Sequence, residues 1–206
     1  MTDWPAMLLL GATGRNAGKT SFACALIRRL SEQGPILGLK VTVIRDEEGC
    51  CPRGGVGCGV CGALAAPFEL AKEVLPGSDK DTRRMLAAGA RGVWWLKVRR
   101  EALAEGIDAL RQVVDPGLPI VCESNSLRLA LKPGLFLMIH HTTCAQIKET
   151  ARAVLPLADR LVLSDGQRHD PDPSRIRFHQ GHWEQAPSPA AESHTLFFSI
   201  LTTATA

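Results

Sequence analysis

Apolar residues along this chain fall into two kinds of pattern, short unbroken runs and helical spacings, and the two alternate. Met7–Leu10 is an unbroken run ahead of a Gly-rich turn, which predicts a short buried strand. Over Lys19–Gln33 the positions Phe22, Ala23, Leu26, Ile27 and Leu30 share one helix face, and Gly34-Pro35 stops that helix. Ile36–Ile44, rich in β-branched residues, predicts a second strand, whereas Arg45–Gly62 has no periodicity and reads as a loop. Phe68–Leu75 and Lys80–Ala88 predict two short helices, and Gly92–Val98 a third strand. Leu103, Ile107, Leu110 and Val114 line one face of a helix over Glu101–Val114, which Asp115-Pro116-Gly117 ends. Leu118–Cys122 and Leu135–Ile139 predict the fourth and fifth strands. Thr143 and Gln146 have capping-box spacing ahead of a helix carrying Ile147, Ala151, Val154 and Leu155. Arg160–Leu163 predicts a sixth strand, and Arg175–Phe178 a seventh near an edge.

Strands alternating with helices imply βαβ units. The expected fold is α/β, a three-layer sandwich whose mostly parallel sheet of six or seven strands carries helices on both faces. Residues 1–179 are expected to form this domain, with a Cys-rich insert at 46–62. Residues 180–206, rich in Pro, Ala, Ser and Thr, are expected to be a loosely packed extension to which Leu196–Leu201 can add an edge strand.

Composition narrows the partners. A chain of 206 residues, 45% hydrophobic and 22% charged, suits one globular domain with a large core. The net charge of +3 comes from scattered basic residues, which leaves no footprint for nucleic acid or an anionic membrane. Aromatics are sparse and Tyr is absent, which argues against a base-stacking platform. No apolar stretch approaches the roughly 18 residues of a membrane span, and the start has no signal-peptide pattern. A cytoplasmic location is therefore expected, where seven cysteines are not a disulfide framework.

The loop Gly11-Ala-Thr-Gly-Arg-Asn-Ala-Gly-Lys19-Thr20 carries the clearest chemistry. Phosphate binding needs backbone N–H groups facing a concavity, a helix N-terminus behind them, a lysine for the β- and γ-phosphates and a hydroxyl for Mg²⁺. Gly14, Arg15, Asn16, Ala17, Gly18, Lys19, Thr20 and Ser21 are the candidate nucleotide-binding residues, with Lys19 on phosphate and Thr20 on Mg²⁺. The pattern Gly-x4-Gly-Lys-Ser/Thr puts Thr13 where the first Gly belongs, so Gly14 is expected to take the unusual backbone angles. Arg15 either contacts phosphate, across a dimer interface or within the chain, or is exposed.

A second metal contact normally comes from an acid at the end of a neighbouring strand. Glu123, directly after Leu118–Cys122, and Asp46, just after the second strand, are the candidates to orient Mg²⁺ or an attacking water. Ser124-Asn125-Ser126 either binds substrate or forms a turn. Leu163-Ser-Asp165-Gly is not the Asn-Lys-x-Asp that selects guanine, so ATP and GTP both stay open. His140-His141, at a strand end, reads as a pair of neutral loop histidines, with a role in the site as the alternative.

Cys50, Cys51, Cys58 and Cys61 cluster in a Gly-rich stretch. Cys58-x-x-Cys61 places two thiolates on one metal, with Cys50 or Cys51 adding another, and sulfur ligation suits Zn²⁺ or an iron–sulfur cluster. Adjacent cysteines rarely serve one ion, so a dimer sharing a centre across its axis also fits. A redox disulfide switch and four reduced thiols are the alternatives. Cys24, Cys122 and Cys144 read as packing residues.

With these residues in place, the chain resembles the SIMIBI class of P-loop NTPases. The nearest likeness is to the nucleotide-binding proteins of molybdopterin-guanine dinucleotide biosynthesis, with metal-centre maturation NTPases and dethiobiotin synthetase more distant. It rests on Gly11–Thr20 and, more weakly, on Cys122-Glu123-Ser124. The resemblance implies Lys19 and Thr20 on phosphate and Mg²⁺, with Glu123 near the metal. Many maturation ATPases carry a second lysine early in the loop, where this chain has Gly14, and the cysteine insert departs from the molybdopterin family's pattern. The expected function is Mg-dependent NTP hydrolysis coupled to maturation or delivery of a metal centre, with a metalloenzyme client and a homodimer as expected partners. An ATP-dependent small-molecule kinase or ligase, and a non-catalytic nucleotide-gated metal-binding protein, are the alternatives.

Overall fold

A computed structural model describes residues 1–44, 64–144 and 146–186. The chain is α/β, built on a large, mostly parallel mixed sheet flanked by helices. The strands are β1 (Thr2–Ala12), β2 (Leu37–Ile44), β3 (Phe68–Glu73), β4 (Gly92–Arg99), β5 (Ile120–Glu123), β6 (Leu131–His141), β7 (Arg160–Ser164) and β8 (His169–Asp170). They form one eight-stranded sheet in the order β3-β4-β2-β5-β1-β6-β7-β8. The strands β3 and β8, at the two edges, pair antiparallel and the rest pair parallel. The helices are α1 (Lys19–Ser31), α2 (Asp81–Ala87), α3 (Leu103–Val113) and the single turn α4 (Glu149–Arg152).

The central strand shows how the core is divided. Met7 and Leu9 of β1 face one apolar cluster, where Ile107 and Leu110 of α3 also sit. Leu8 and Leu10 face the other, with Phe22, Leu26 and Ile27 of α1 and Met85 of α2. A strand buried on both faces needs an unbroken apolar run, which is why Met7–Leu10 is fully buried.

Four expectations are corrected. Phe68–Leu75 is not a helix: β3 zips antiparallel onto β4, and Phe68 and Leu70 alternate onto the α3-side cluster. Among the described residues the sheet has eight strands instead of six or seven, the additions being β3 and β8. Arg175–Phe178 is not a strand of that sheet: β9 (Ile176–His179) pairs with β10 (His182–Gln185) in a separate hairpin. The helix after Thr143 shrinks to α4, because the Lys148 N–H is drawn to Thr13 O (2.9 Å) and Pro156 removes a helical donor. Thr143 caps nothing there, since its hydroxyl lies 2.9 Å from His141 Nδ1.

The fold also continues past residue 179. Trp183 of β10 is buried and donates from Nε1 to Ala6 O (2.8 Å), and Arg29 of α1 donates to Pro173 O and Ile176 O. Leu196–Leu201 lies outside the described residues. No helix among the described residues is long and apolar enough to cross a membrane.

Candidate functional site

The loop between β1 and α1 opens at the carboxyl edge of the sheet. Thr13, in place of a glycine, is buried and fixed from three sides. Its N–H donates to Ile139 O (2.9 Å), its hydroxyl lies 2.8 Å from His140 Nδ1, and its carbonyl accepts from Lys148. The unusual backbone angles fall on Asn16 (φ 53) and Gly18 (φ 90), not on Gly14. What Gly14 supplies is space: a Cβ there would sit 2.7 Å from Cys144 Sγ. Gly18 needs both freedoms, because a Cβ would meet His169 Nε2 and Ser164 Oγ at 2.9 Å each. From Gly18 the chain enters α1, whose first-turn N–H groups have no partners within the helix and point their partial positive charge outward.

Register brings the charged groups to that helix end. Leu10, Glu123 and Lys40 align across β1, β5 and β2, and the β-strand alternation turns Lys40 and Glu123 toward the α1 side. Glu123 is 3% exposed, and its Oε1 has no hydrogen-bond partner among the described residues. Burial pushes its carboxyl above the usual range; Lys19 pulls it down, Asp81 adds to the rise, and Lys40 and the Thr20 hydroxyl oppose it.

Sequence reasoning missed Asp81 and Lys40. Asp81 opens α2 and accepts a hydrogen bond from Thr20 Oγ1 (3.1 Å) and an ion pair from Lys40 Nζ. Burial works against its charge, but the Lys40 hydrogen bond and ammonium, Thr20 and Lys19 together hold Asp81 below the usual carboxylate range. The signal lay in β2, where Lys40 is a lone charge within Leu-Gly-Leu-Lys-Val and its register partner Glu123 is a lone charge ending an apolar run.

These groups line one open cleft of about 1200 Å³. The loop residues Gly14, Arg15, Asn16, Ala17, Gly18, Lys19, Thr20 and Ser21 form its floor together with Glu123. Lys40–Val43, Asp81 and Arg84 form one wall, and Ser124–Ser126, Lys148–Thr150 and Gly166 the other. Asn125 is a brace for the loop: its Oδ1 accepts from Ala12 N (2.8 Å) and its Nδ2 donates to Ala12 O (2.9 Å). His140 and His141 do not line the cleft; burial, then the neighbouring His141, lowers the His140 pKa and favours the neutral ring.

Asp46 and Cys50, Cys51, Cys58 and Cys61 lie outside the described residues. Among the described residues no group of three or more His, Cys, Asp or Glu side chains stands ready for a metal ion. Cys24 and Cys122 are buried, as packing residues should be, and burial raises their thiols, that of Cys24 to about 11. Cys144 is half-buried against Gly14. No protein-family model, curated protein or solved structure matches this chain.

Proposed function

We propose that the cleft binds a nucleoside triphosphate, ATP or GTP, with Mg²⁺ and hydrolyses it, as a P-loop NTPase, and that turnover is coupled to maturation or delivery of a metal centre. One observation carries the hydrolase: a buried carboxylate with an unpartnered oxygen, Glu123, faces a Gly-rich loop that ends in a left-handed Gly18 and opens a helix with Lys19-Thr20. Leaving a buried carboxylate oxygen unpaired is costly, so a site that does so is built around something that repays it.

The residues fit Mg²⁺. It takes hard oxygen ligands and few from protein, and the Thr20 hydroxyl is such a ligand, with the Glu123 carboxylate beside it placed to reach the metal only through a water. Bound there, Mg²⁺ would supply positive charge to neutralise the phosphates. The protein residues do the rest. Amides of the loop and the α1 N-terminus hold the phosphates, and Lys19 reaches the terminal ones. Asp81, paired with Lys40, accepts the hydrogen bond of the Thr20 hydroxyl, which leaves that oxygen's lone pairs free for the cation. Glu123, its proton affinity raised by burial, takes a proton from the attacking water.

Coupling to a metal centre is supported by chain connectivity. The cleft wall runs to Val43, Ile44 ends β2, and the cysteine-bearing stretch begins directly after it. Absorbance and elemental analysis of anaerobically purified chain test this part: iron with sulfide, or stoichiometric zinc, supports it, and neither metal removes it. For the hydrolase, Lys19→Ala should abolish Mg²⁺-dependent phosphate release while the circular dichroism of the fold is retained. Wild-type chain that neither binds nor hydrolyses ATP or GTP overturns it.

A further inference from the structure

We propose that Arg84 is a catalytic residue of this site, a guanidinium supplied from α2 to the terminal phosphate of the bound nucleotide; this rests on the nucleotide reading above. Asp81 and Arg84 are three residues apart and so share one helix face. That face meets the first turn of α1. Asp81 holds the Thr20 hydroxyl, and Arg84 Nη2 donates to Ser21 Oγ across 3.4 Å. Both side chains line the cleft.

Charge on this wall is unevenly committed. The Lys40 ammonium is tied to Asp81 in an ion pair. Arg84 forms no ion pair among the described residues, and its bond to the neutral Ser21 hydroxyl is long. A guanidinium offers five donors in a planar fork that matches phosphate oxygens. Charge-assisted bonds of that kind are roughly twice as strong as neutral ones, so exchanging Ser21 for a phosphate oxygen is favourable.

The reaction gives this charge a purpose. The water oxygen bonds to the γ-phosphorus, and the bond from that phosphorus to the bridging oxygen breaks, leaving its electron pair on the diphosphate. The water proton passes to Glu123. In that transition state, charge spreads over the equatorial oxygens of the transferring group. Lys19 and the α1 N-terminus meet these oxygens from the floor, and Arg84 meets them from the β2 side.

The test is nucleotide hydrolysis by full-length chain with Mg²⁺, for wild type, Arg84→Ala and Arg84→Lys, beside thermal unfolding of each. Arg84→Ala should lower kcat by about 10³-fold, the low end for a catalytic arginine, while affinity for a non-hydrolysable triphosphate changes by less than about threefold. Guanidinium ion added to Arg84→Ala should restore part of the rate, which a structural role would not give. Arg84→Lys should stay well below wild type, because an ammonium cannot make the two-pronged contact; it also serves if the alanine variant fails to fold. A kcat within about threefold of wild type in either variant, or no guanidinium rescue, overturns the assignment. Wild-type chain without turnover sinks the nucleotide reading and Arg84 with it. Wild-type turnover that Lys19→Ala abolishes and Arg84→Ala spares sinks Arg84 alone.

Discussion

Gly14 and Gly18 sit four residues apart in one loop, yet alanine should harm them for different reasons, and a second substitution should cure only one. At Gly14 the backbone is ordinary, and the sole close obstacle is Cys144 Sγ at 2.7 Å; the next atom, Cys144 Cβ, is at 3.7 Å, which is ordinary contact. Gly14→Ala must therefore push the thiol aside by several tenths of an ångström and break its bond to Gln146 O (3.1 Å). Overpacking typically costs about 1–3 kcal/mol, and half-buried Cys144 has room to yield, so about 1–2 kcal/mol is expected. Cys144→Ala alone loses one weak donor, about 0.5–1 kcal/mol. With the sulfur gone, the Gly14→Ala methyl has a place, so the double variant should be about 1–2 kcal/mol more stable than additivity predicts. Gly18→Ala offers no such cure, because φ 90 remains strained when its neighbours are trimmed, at about 1–2 kcal/mol. Urea unfolding of the four Gly14/Cys144 species gives the coupling, and triphosphate affinity should follow it. Singles that add to within about 0.5 kcal/mol would refute the packing account of Gly14.

Two further outcomes follow from the core. In the folded chain Glu123 holds its proton to higher pH than in the unfolded chain, so its share of stability is full below the ordinary carboxylate range and falls as pH rises toward the raised folded value. The unfolding free energy of wild type minus that of Glu123→Gln should decline across that window while hydrolysis by the variant drops by about 10²-fold or more; a difference flat with pH contradicts the buried carboxylate. Trp183→Phe keeps the ring but strands the Ala6 carbonyl, which should cost about 1–3 kcal/mol in chemical denaturation, and a loss under about 0.5 kcal/mol would mean the hairpin is dispensable.

The parts of the molecule legible in the sequence are those where local pattern and tertiary demand agree. Runs such as Met7–Leu10 can only be doubly buried strands, and the Lys19 helix carries its own apolar stripe and stop. Phe68–Glu73 misled because Glu, Leu, Ala and Lys favour helix intrinsically, while pairing with β4 decided the outcome. The segment after Thr143 misled because its backbone donor at Lys148 serves Thr13, more than a hundred residues upstream. Within the site, Lys19 and Thr20 at the start of α1 and Glu123 at the end of β5 line one cleft. Asp81 and Arg84 could not be foreseen, since their approach depends on α2 crossing against α1, and no local motif encodes a helix contact.

The chain leaves β2 at Ile44 opposite Arg99 and resumes pairing at Phe68 opposite Val98, so only β4 lies between departure and return. Two strand spacings are roughly 10 Å, a gap that a handful of residues bridges. The cost of closing such an excursion changes by only about 0.6 kcal/mol for each doubling of its length. The cysteine stretch therefore occupies a cassette position. As far as loop closure goes, shortening or lengthening it changes the cost of joining β2 to β3 by little, which lets the chemistry of phosphate and the chemistry of sulfur be probed separately.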